Sequence, residues 1–131
     1  EALQRHYREG APPDWALRHV SAYAASHPWE DWAETWAHYL NMIDTLETAE
    51  DYELTIRREP VHCAGSPALA ARLHEDSFER LFGSWVRLTT AMNAISRSMG
   101  LTDAYPFALN PLAARKLGFV HALVQCMREP E

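Results

Sequence analysis

Residues 28–54 have the sequence PWEDWAETWAHYLNMIDTLETAEDYEL, which contains no glycine and no proline after its first position. Pro28 suits the first turn of a helix, where its missing amide proton costs no hydrogen bond. Glu30 and Asp31 place negative charge in the same turn, where the helix dipole favours it. The stretch therefore predicts one long α-helix from Pro28 to about Leu54, the longest element of the chain.

Four polar residues at the start of this predicted helix fall on one face. His27, Asp31, Glu34 and His38 are spaced four, three and four residues apart, and residues at these spacings lie on the same side of a helix. His27 precedes a proline and can bend away, so it is the least secure member. Aromatic side chains cover much of the remaining surface and predict a largely buried helix: Trp29, Trp32, Trp36 and Tyr39. Buried carboxylates need partners, and three alternatives stay open: a metal ion, an Arg or His elsewhere in the chain, or solvent.

Glycine, proline and a capping residue divide the N-terminal part. Gly10 and the proline pair that follows it end a helix over residues 3–9. Asp14 can accept hydrogen bonds from the free amides of a second helix, which we expect to run to about residue 27.

The same signals divide the remainder of the chain. Asn110 followed by Pro111 is a cap followed by a first-turn proline. We expect helices over residues 67–74, 77–99 and 111–127, a loop over residues 58–67, and an extended or turn-like segment over residues 103–107. No stretch alternates as a strand does. The sequence therefore predicts an all-α fold of five or six helices in a single domain, residues 1–131.

Composition excludes several functions. The 131 residues carry a net charge of −6, which argues against nucleic acid as a partner because phosphates need a basic surface. No apolar run approaches the roughly 20 residues of a membrane span. Cys63 and Cys126 lie far apart without metal-ligand spacing, which predicts reduced thiols and a cytoplasmic location, with a single disulfide as the alternative. The chain starts at Glu1 without an initiator Met, so we expect a piece of a longer protein.

Other candidate residues have ordinary structural explanations. His62 and Cys63 are adjacent in sequence, and such neighbours rarely face each other as a nucleophile and its base must. Ser66 lacks the second glycine of a nucleophile elbow. Arg97 could pair with a carboxylate of the polar stripe or bind a substrate carboxylate, and we favour the structural pairing.

Two apolar stripes predict core faces. They comprise Leu81, Phe82, Trp85, Leu88, Met92 and Ile95 on one helix, and Leu117, Val120, His121 and Val124 on another. If one of these faces is exposed to solvent, we expect the chain to form a homodimer, because large exposed apolar patches attract partners.

Several segments resemble the zinc-binding metallopeptidases of bacteria, which often carry a zinc ribbon at their N-terminus. The resemblance covers nearly the whole chain. It is carried by residues 30–40 (EDWAETWAHYL), 44–49 (DTLETA), 93–100 (NAISRSMG), 105–107 (YPF) and 116–121 (KLGFVH).

The resemblance implies a gluzincin-like zinc site and peptide-bond hydrolysis. In such a site an H-E-x-x-H helix supplies two His ligands and a general-base Glu, and a later helix supplies an acidic third ligand. Glu34 matches the third ligand, while Asp31 and His38 would be catalytic residues that orient ligands or touch the transition state. Zinc would be the cofactor of the full-length protein, and a peptide or protein its substrate.

The chain departs from that pattern because it contains no H-E-x-x-H. Residues 74–78 are HEDSF, with Phe78 where the second His should be, and they follow Glu34 instead of preceding it. We therefore expect the metal-binding helix upstream of Glu1, the alternative being a degenerate relative without it. In either case we expect a chain that alone is inactive and retains no zinc. The alternative function is a non-catalytic helical module that binds a partner protein or acts as a scaffold.

Overall fold

The computed structural model describes residues 2–54, 56, 77–106 and 109–128. These ranges contain four α-helices and two short 3₁₀ helices: α1 (Ala2–Glu9), the 3₁₀ turns Trp15–Leu17 and Ala24–Ser26, α2 (Pro28–Asp51), α3 (Ser77–Ser98) and α4 (Pro111–Arg128). No strand occurs within them, so the predicted all-α class is confirmed. The predicted loop at residues 58–67 and helix at residues 67–74 lie outside the described residues.

The chain divides into two compact units, Glu1–Asn41 with Phe107–Glu131, and Met42–Pro106. The boundary falls inside α2, so this helix contributes its first half to one unit and its second half to the other. That both units belong to one domain stays a prediction. In the described part of the chain, no helix combines the length and the apolar character needed to cross a membrane.

The helix α1 ends where glycine was expected to end it. The Gly10 amide donates to the His6 carbonyl at 2.7 Å, and Gly10 has a φ of +79°. A left-handed residue at this position satisfies a carbonyl that the last helical turn leaves open, and glycine adopts it without a Cβ clash.

The second helix predicted over residues 14–27 is wrong. Two 3₁₀ turns stand in its place, and the Asp14 side chain makes no capping hydrogen bond. The cause is tertiary: α4 binds the carbonyls of this segment. Asn110 donates to Ala16 at 2.8 Å and to His19 at 3.2 Å, and Lys116 donates to Arg18 at 2.9 Å. These bonds satisfy carbonyls that a regular helix would have paired internally, so the segment can leave the helical ladder without unpaired backbone groups.

The helix α2 begins at Pro28 as predicted and ends at Asp51, one turn before the predicted Leu54. Glu53 takes a positive φ of 53°, Leu54 donates to Ala49 at 2.8 Å, and Glu53 donates to Glu50 at 2.9 Å. This pair of bonds is the usual termination of a helix by a left-handed residue.

In the second unit, α3 buries its side chains Trp85 and Leu88. The rings of Trp85 and Tyr105 meet edge to face with centroids 4.6 Å apart, and Asn93 exchanges two hydrogen bonds with the Tyr105 backbone. The predicted apolar stripe is thus confirmed at its centre. At its end, Ile95 is exposed.

In the first unit, the core contains Val20 and Ala24 of the N-terminal segment and Ala113 of α4, with Leu109 packed against them. Asn110 caps α4, because its Oδ1 accepts from the Ala113 amide at 2.8 Å. The predicted cap is confirmed, and the same side chain binds the segment through its amide nitrogen.

Replacement of Asn110 by Ala is expected to lower the free energy of unfolding by about 2–4 kcal/mol, because a helix cap and two hydrogen bonds are lost together. Asn110→Ser keeps a capping oxygen but lacks the amide donor, so it should cost less. Urea titration of both variants measures the difference. Gln125→Ala, an exposed change on the same helix, should stay within about 0.5 kcal/mol. Equal losses for Asn110→Ser and Asn110→Ala would contradict a separate capping contribution.

Candidate functional site

Glu34 lies where α2 faces the N-terminal segment. Its Oε2 accepts a hydrogen bond from the Ser21 hydroxyl at 2.9 Å. The Glu34 side chain is half-buried, and among the described residues it has no ion pair. Because its donor is a neutral hydroxyl, the Glu34 side chain has no cation beside it among the described residues to compete with a metal.

Asp31, one turn earlier, has a different environment. Lys116 Nζ lies 2.6 Å from Asp31 Oδ2 and 2.8 Å from Oδ1, and both side chains are largely buried. His19 Nδ1 lies 3.2 Å from Asp31 Oδ1, although the ring is not aligned for a hydrogen bond. Lys116 therefore neutralises Asp31, and the pair ties α4 to α2.

His38 follows Glu34 by one turn and is buried. Burial lowers the pKa of the His38 imidazole below its ordinary value of 6.5, and the negative charge of Glu34 opposes this shift. An imidazole with a lowered pKa is neutral at pH 7, so it can accept a proton through one ring nitrogen and donate a hydrogen bond through the other.

His27 leaves the predicted stripe. Its backbone is extended, with φ −161° and ψ 148°, and its Nδ1 accepts from the Trp29 amide at 3.2 Å. The His27 side chain therefore satisfies a free amide at the start of α2. The structure keeps Asp31, Glu34 and His38 on one side of the helix.

A buried pair beside the stripe was not predicted. The Tyr39 hydroxyl lies 3.1 Å from His121 Nδ1, and both residues are buried. Burial lowers the pKa of His121. The sequence indicated only that His121 belongs to the apolar face of α4, because nothing in the sequence pairs residues 82 positions apart.

Aromatic residues of α2 are less buried than predicted. Trp29 is 73% exposed and Trp32 is 41% exposed. Trp32 and Phe119 line one wall of a groove of about 420 Å³ between α2 and α4, which also includes Pro28, Asp31, Thr35, Leu112, Arg115 and Lys116. The helix therefore presents an apolar surface as well as a polar stripe.

The remaining candidates are accounted for where the structure describes them. Arg97 pairs with both carboxylate oxygens of Asp103 at 2.6 Å, so its partner is a structural carboxylate six residues away and not the predicted carboxylate of the stripe. Cys126 is a free, exposed thiol. Outside the described residues lie His62, Cys63, Ser66 and the first three residues of HEDSF.

The described residues do not assemble a zinc site by themselves. No group of three or more His, Cys, Asp or Glu side chains among them comes close enough to hold a metal ion. Glu34 fits the role of a single acidic ligand, since Oε2 is held by Ser21 and Oε1 accepts no hydrogen bond from the described part of the chain. A complete site needs further ligands.

The described residues form an all-α fold, and within the polar stripe Asp31 is ion-paired while Glu34 is hydrogen-bonded to a neutral hydroxyl. The chain matches over residues 1–123 a protein family described as putative zinc-binding metallo-peptidase, and it belongs to that family. The predicted resemblance is thereby confirmed.

The chain is also similar to proteins from Mycobacterium bovis and from two strains of Mycobacterium tuberculosis, each bearing the name uncharacterized protein. The identity is 39% over 128 residues, covering 95% of this chain and 34% of each relative. The chain thus spans about a third of the length of the curated relatives it matches. No solved structure matches it significantly.

The two buried histidines predict that stability falls in mild acid. A pKa that folding lowers means that the unfolded chain binds protons more readily, so stability is full above the unfolded-state pKa of about 6.5 and declines as pH falls through it. Urea unfolding between about pH 7.5 and pH 5.5 measures the slope, which His38→Gln and His121→Gln should each reduce. Stability that rises toward pH 5.5 would contradict the assignment.

Proposed function

We propose that this chain provides the acidic zinc ligand of a metallopeptidase, and that Glu34 is that ligand. The observation that carries the proposal is the environment of the Glu34 carboxylate: Ser21 holds one of its oxygens through a neutral hydroxyl. The neighbouring Asp31, by contrast, is neutralised by Lys116. Membership of the zinc-binding family supports a metal as the partner of the unneutralised carboxylate.

The other ligands would come from an H-E-x-x-H helix in the longer protein. The chain corresponds to 34% of each mycobacterial relative, which leaves ample length for such a helix. Zinc bound by three protein ligands lowers the pKa of a bound water and polarises the scissile carbonyl of a peptide substrate. The described residues would not perform that chemistry by themselves, and we propose that this chain alone is inactive and holds no zinc.

Asp31 and His38 would act beside Glu34 in the same site. His38 is buried one turn away and its lowered pKa keeps it neutral, so it can stabilise a developing charge or orient a ligand by a hydrogen bond. Asp31 fixes Lys116 and, through it, the backbone at Arg18. A cytoplasmic location, in keeping with the free thiol of Cys126, belongs to the same proposal.

In the full-length protein, Glu34→Gln is expected to weaken zinc binding by more than the roughly 10–100-fold that loss of a residue behind a ligand costs. The amide keeps the shape of the side chain and removes its charge. Zinc content after dialysis against a chelator, together with hydrolysis of a broad peptide panel, measures the effect.

Glu47→Gln is the matched control for this experiment. Glu47 lies on the same helix and is exposed, so its replacement should leave zinc content and hydrolysis unchanged. If the Glu34→Gln protein still binds stoichiometric zinc, Glu34 is not a ligand. If the zinc-loaded protein cleaves no peptide, the proposed peptidase activity is wrong.

A second function, a non-catalytic interaction module, is favoured by the exposed apolar surface of α2 and α4. Trp29, Trp32, Leu112 and Phe119 are between 40% and 73% exposed. Exposed apolar surfaces of this kind occur at contacts between proteins. We propose a second copy of the chain as the partner, which would bury these side chains in a homodimer.

Sedimentation over a wide range of concentration is expected to detect the dimer, and Phe119→Glu should shift it toward the monomer because a charge would be buried in the contact. Ile95→Glu, also at an exposed apolar position, should leave the association unchanged. A chain that stays monomeric at every concentration, or equal effects of both substitutions, would argue against this interface.

A further inference from the structure

We infer that Ser21 is a positioning residue for the Glu34 carboxylate. The inference rests on the proposed function, because it assigns to Ser21 the task of orienting the acidic zinc ligand. The contact joins residues 13 positions apart, with Ser21 Oγ 2.9 Å from Glu34 Oε2.

The direction of the Ser21 hydroxyl is determined by a second bond. The Ala24 amide donates to Ser21 Oγ at 3.0 Å, so this oxygen already accepts one hydrogen bond. A hydroxyl has a single proton to donate, and Glu34 Oε2 is the acceptor within reach. The bond to Ala24 therefore directs the Ser21 proton toward the carboxylate.

The backbone that leads into Ser21 is held by hydrogen bonds and by burial. Before it, the carbonyls of Arg18 and His19 accept from Lys116 and Asn110. Its neighbour Val20 is 2% exposed, and Ser21 itself is 8% exposed. A donor mounted on buried and hydrogen-bonded backbone restricts its acceptor more than a surface side chain does.

The consequence for Glu34 is a fixed carboxylate that retains its charge. Glutamate has three rotatable side-chain bonds, and a hydrogen bond to one oxygen selects among their combinations. Because Ser21 is neutral, Oε1 remains a full-strength anionic ligand. A lysine in the same position, as Lys116 is for Asp31, would compete with the metal for that charge.

The test is the zinc affinity of the full-length protein, measured by competition with a chelating dye. Ser21→Ala is expected to weaken binding by about 10–100-fold, the range typical for loss of a group that orients a metal ligand. Thr89→Val is the matched control, because Thr89 is also buried and its hydroxyl bonds only to the backbone of α3. It should change the affinity by less than about threefold.

A double substitution separates this inference from the proposed function. If Ser21 acts through Glu34, then Ser21→Ala combined with Glu34→Gln binds zinc no more weakly than Glu34→Gln alone. Unchanged affinity in Ser21→Ala, with a large loss in Glu34→Gln, would overturn the inference and leave Glu34 as a ligand. Unchanged affinity in Glu34→Gln would overturn both.

A measurement without zinc tests the contact itself. In the metal-free protein, Ser21→Ala and Glu34→Ala should be non-additive, and the coupling should change the unfolding equilibrium constant by roughly 3–10-fold. Additive effects would show that the hydroxyl and the carboxylate do not interact, and the inference would fail whatever the zinc measurements show.

Discussion

The carbonyl oxygens of residues 16, 18 and 19 are the constraint on which the first unit depends. They accept hydrogen bonds from Asn110 and Lys116 of α4, so the N-terminal segment is fastened to a helix more than 90 residues later in the chain. The bonds satisfy these carbonyls without a regular helix, and the segment forms two 3₁₀ turns. This backbone places Ser21 within hydrogen-bond distance of Glu34 and Val20 in the core. The same hydrogen bonds to α4 therefore stabilise both the site and the fold.

The two carboxylates of the polar stripe illustrate how environment separates residues that helical spacing cannot distinguish. Asp31 receives a lysine, and its charge is balanced within the fold. Glu34 receives a hydroxyl and keeps its charge. A balanced carboxylate contributes to packing, whereas an unbalanced and half-buried one is costly unless another cation is supplied. This difference, more than the spacing, singles out Glu34 as the metal ligand in our proposal.

The elements that local chemistry determines were predictable from the sequence, and those that tertiary contacts determine were not. Gly10, Pro28 and the Asn110–Pro111 pair gave helix ends at the positions observed, because caps and fixed dihedral angles act within one turn. The second predicted helix does not form. The side chains that bond to its carbonyls, Asn110 and Lys116, lie more than 90 residues later in the chain. Family resemblance led to Glu34, yet Ser21 carried no signal, since a serine 13 residues before a glutamate is common and acquires meaning only when the segment folds back.

Lys116, which forms the ion pair with Asp31, is the single lysine of the chain. Its amine is occupied by both oxygens of a carboxylate and by the Arg18 carbonyl. An amine can be acylated only when the reagent can reach it, and this arrangement restricts access to the Lys116 amine. Lysine acetylation or conjugation would therefore have one target in this chain, which reacts only when the N-terminal segment lifts from α4. The modification would leave Asp31 without its cation and prevent the segment from returning to its place.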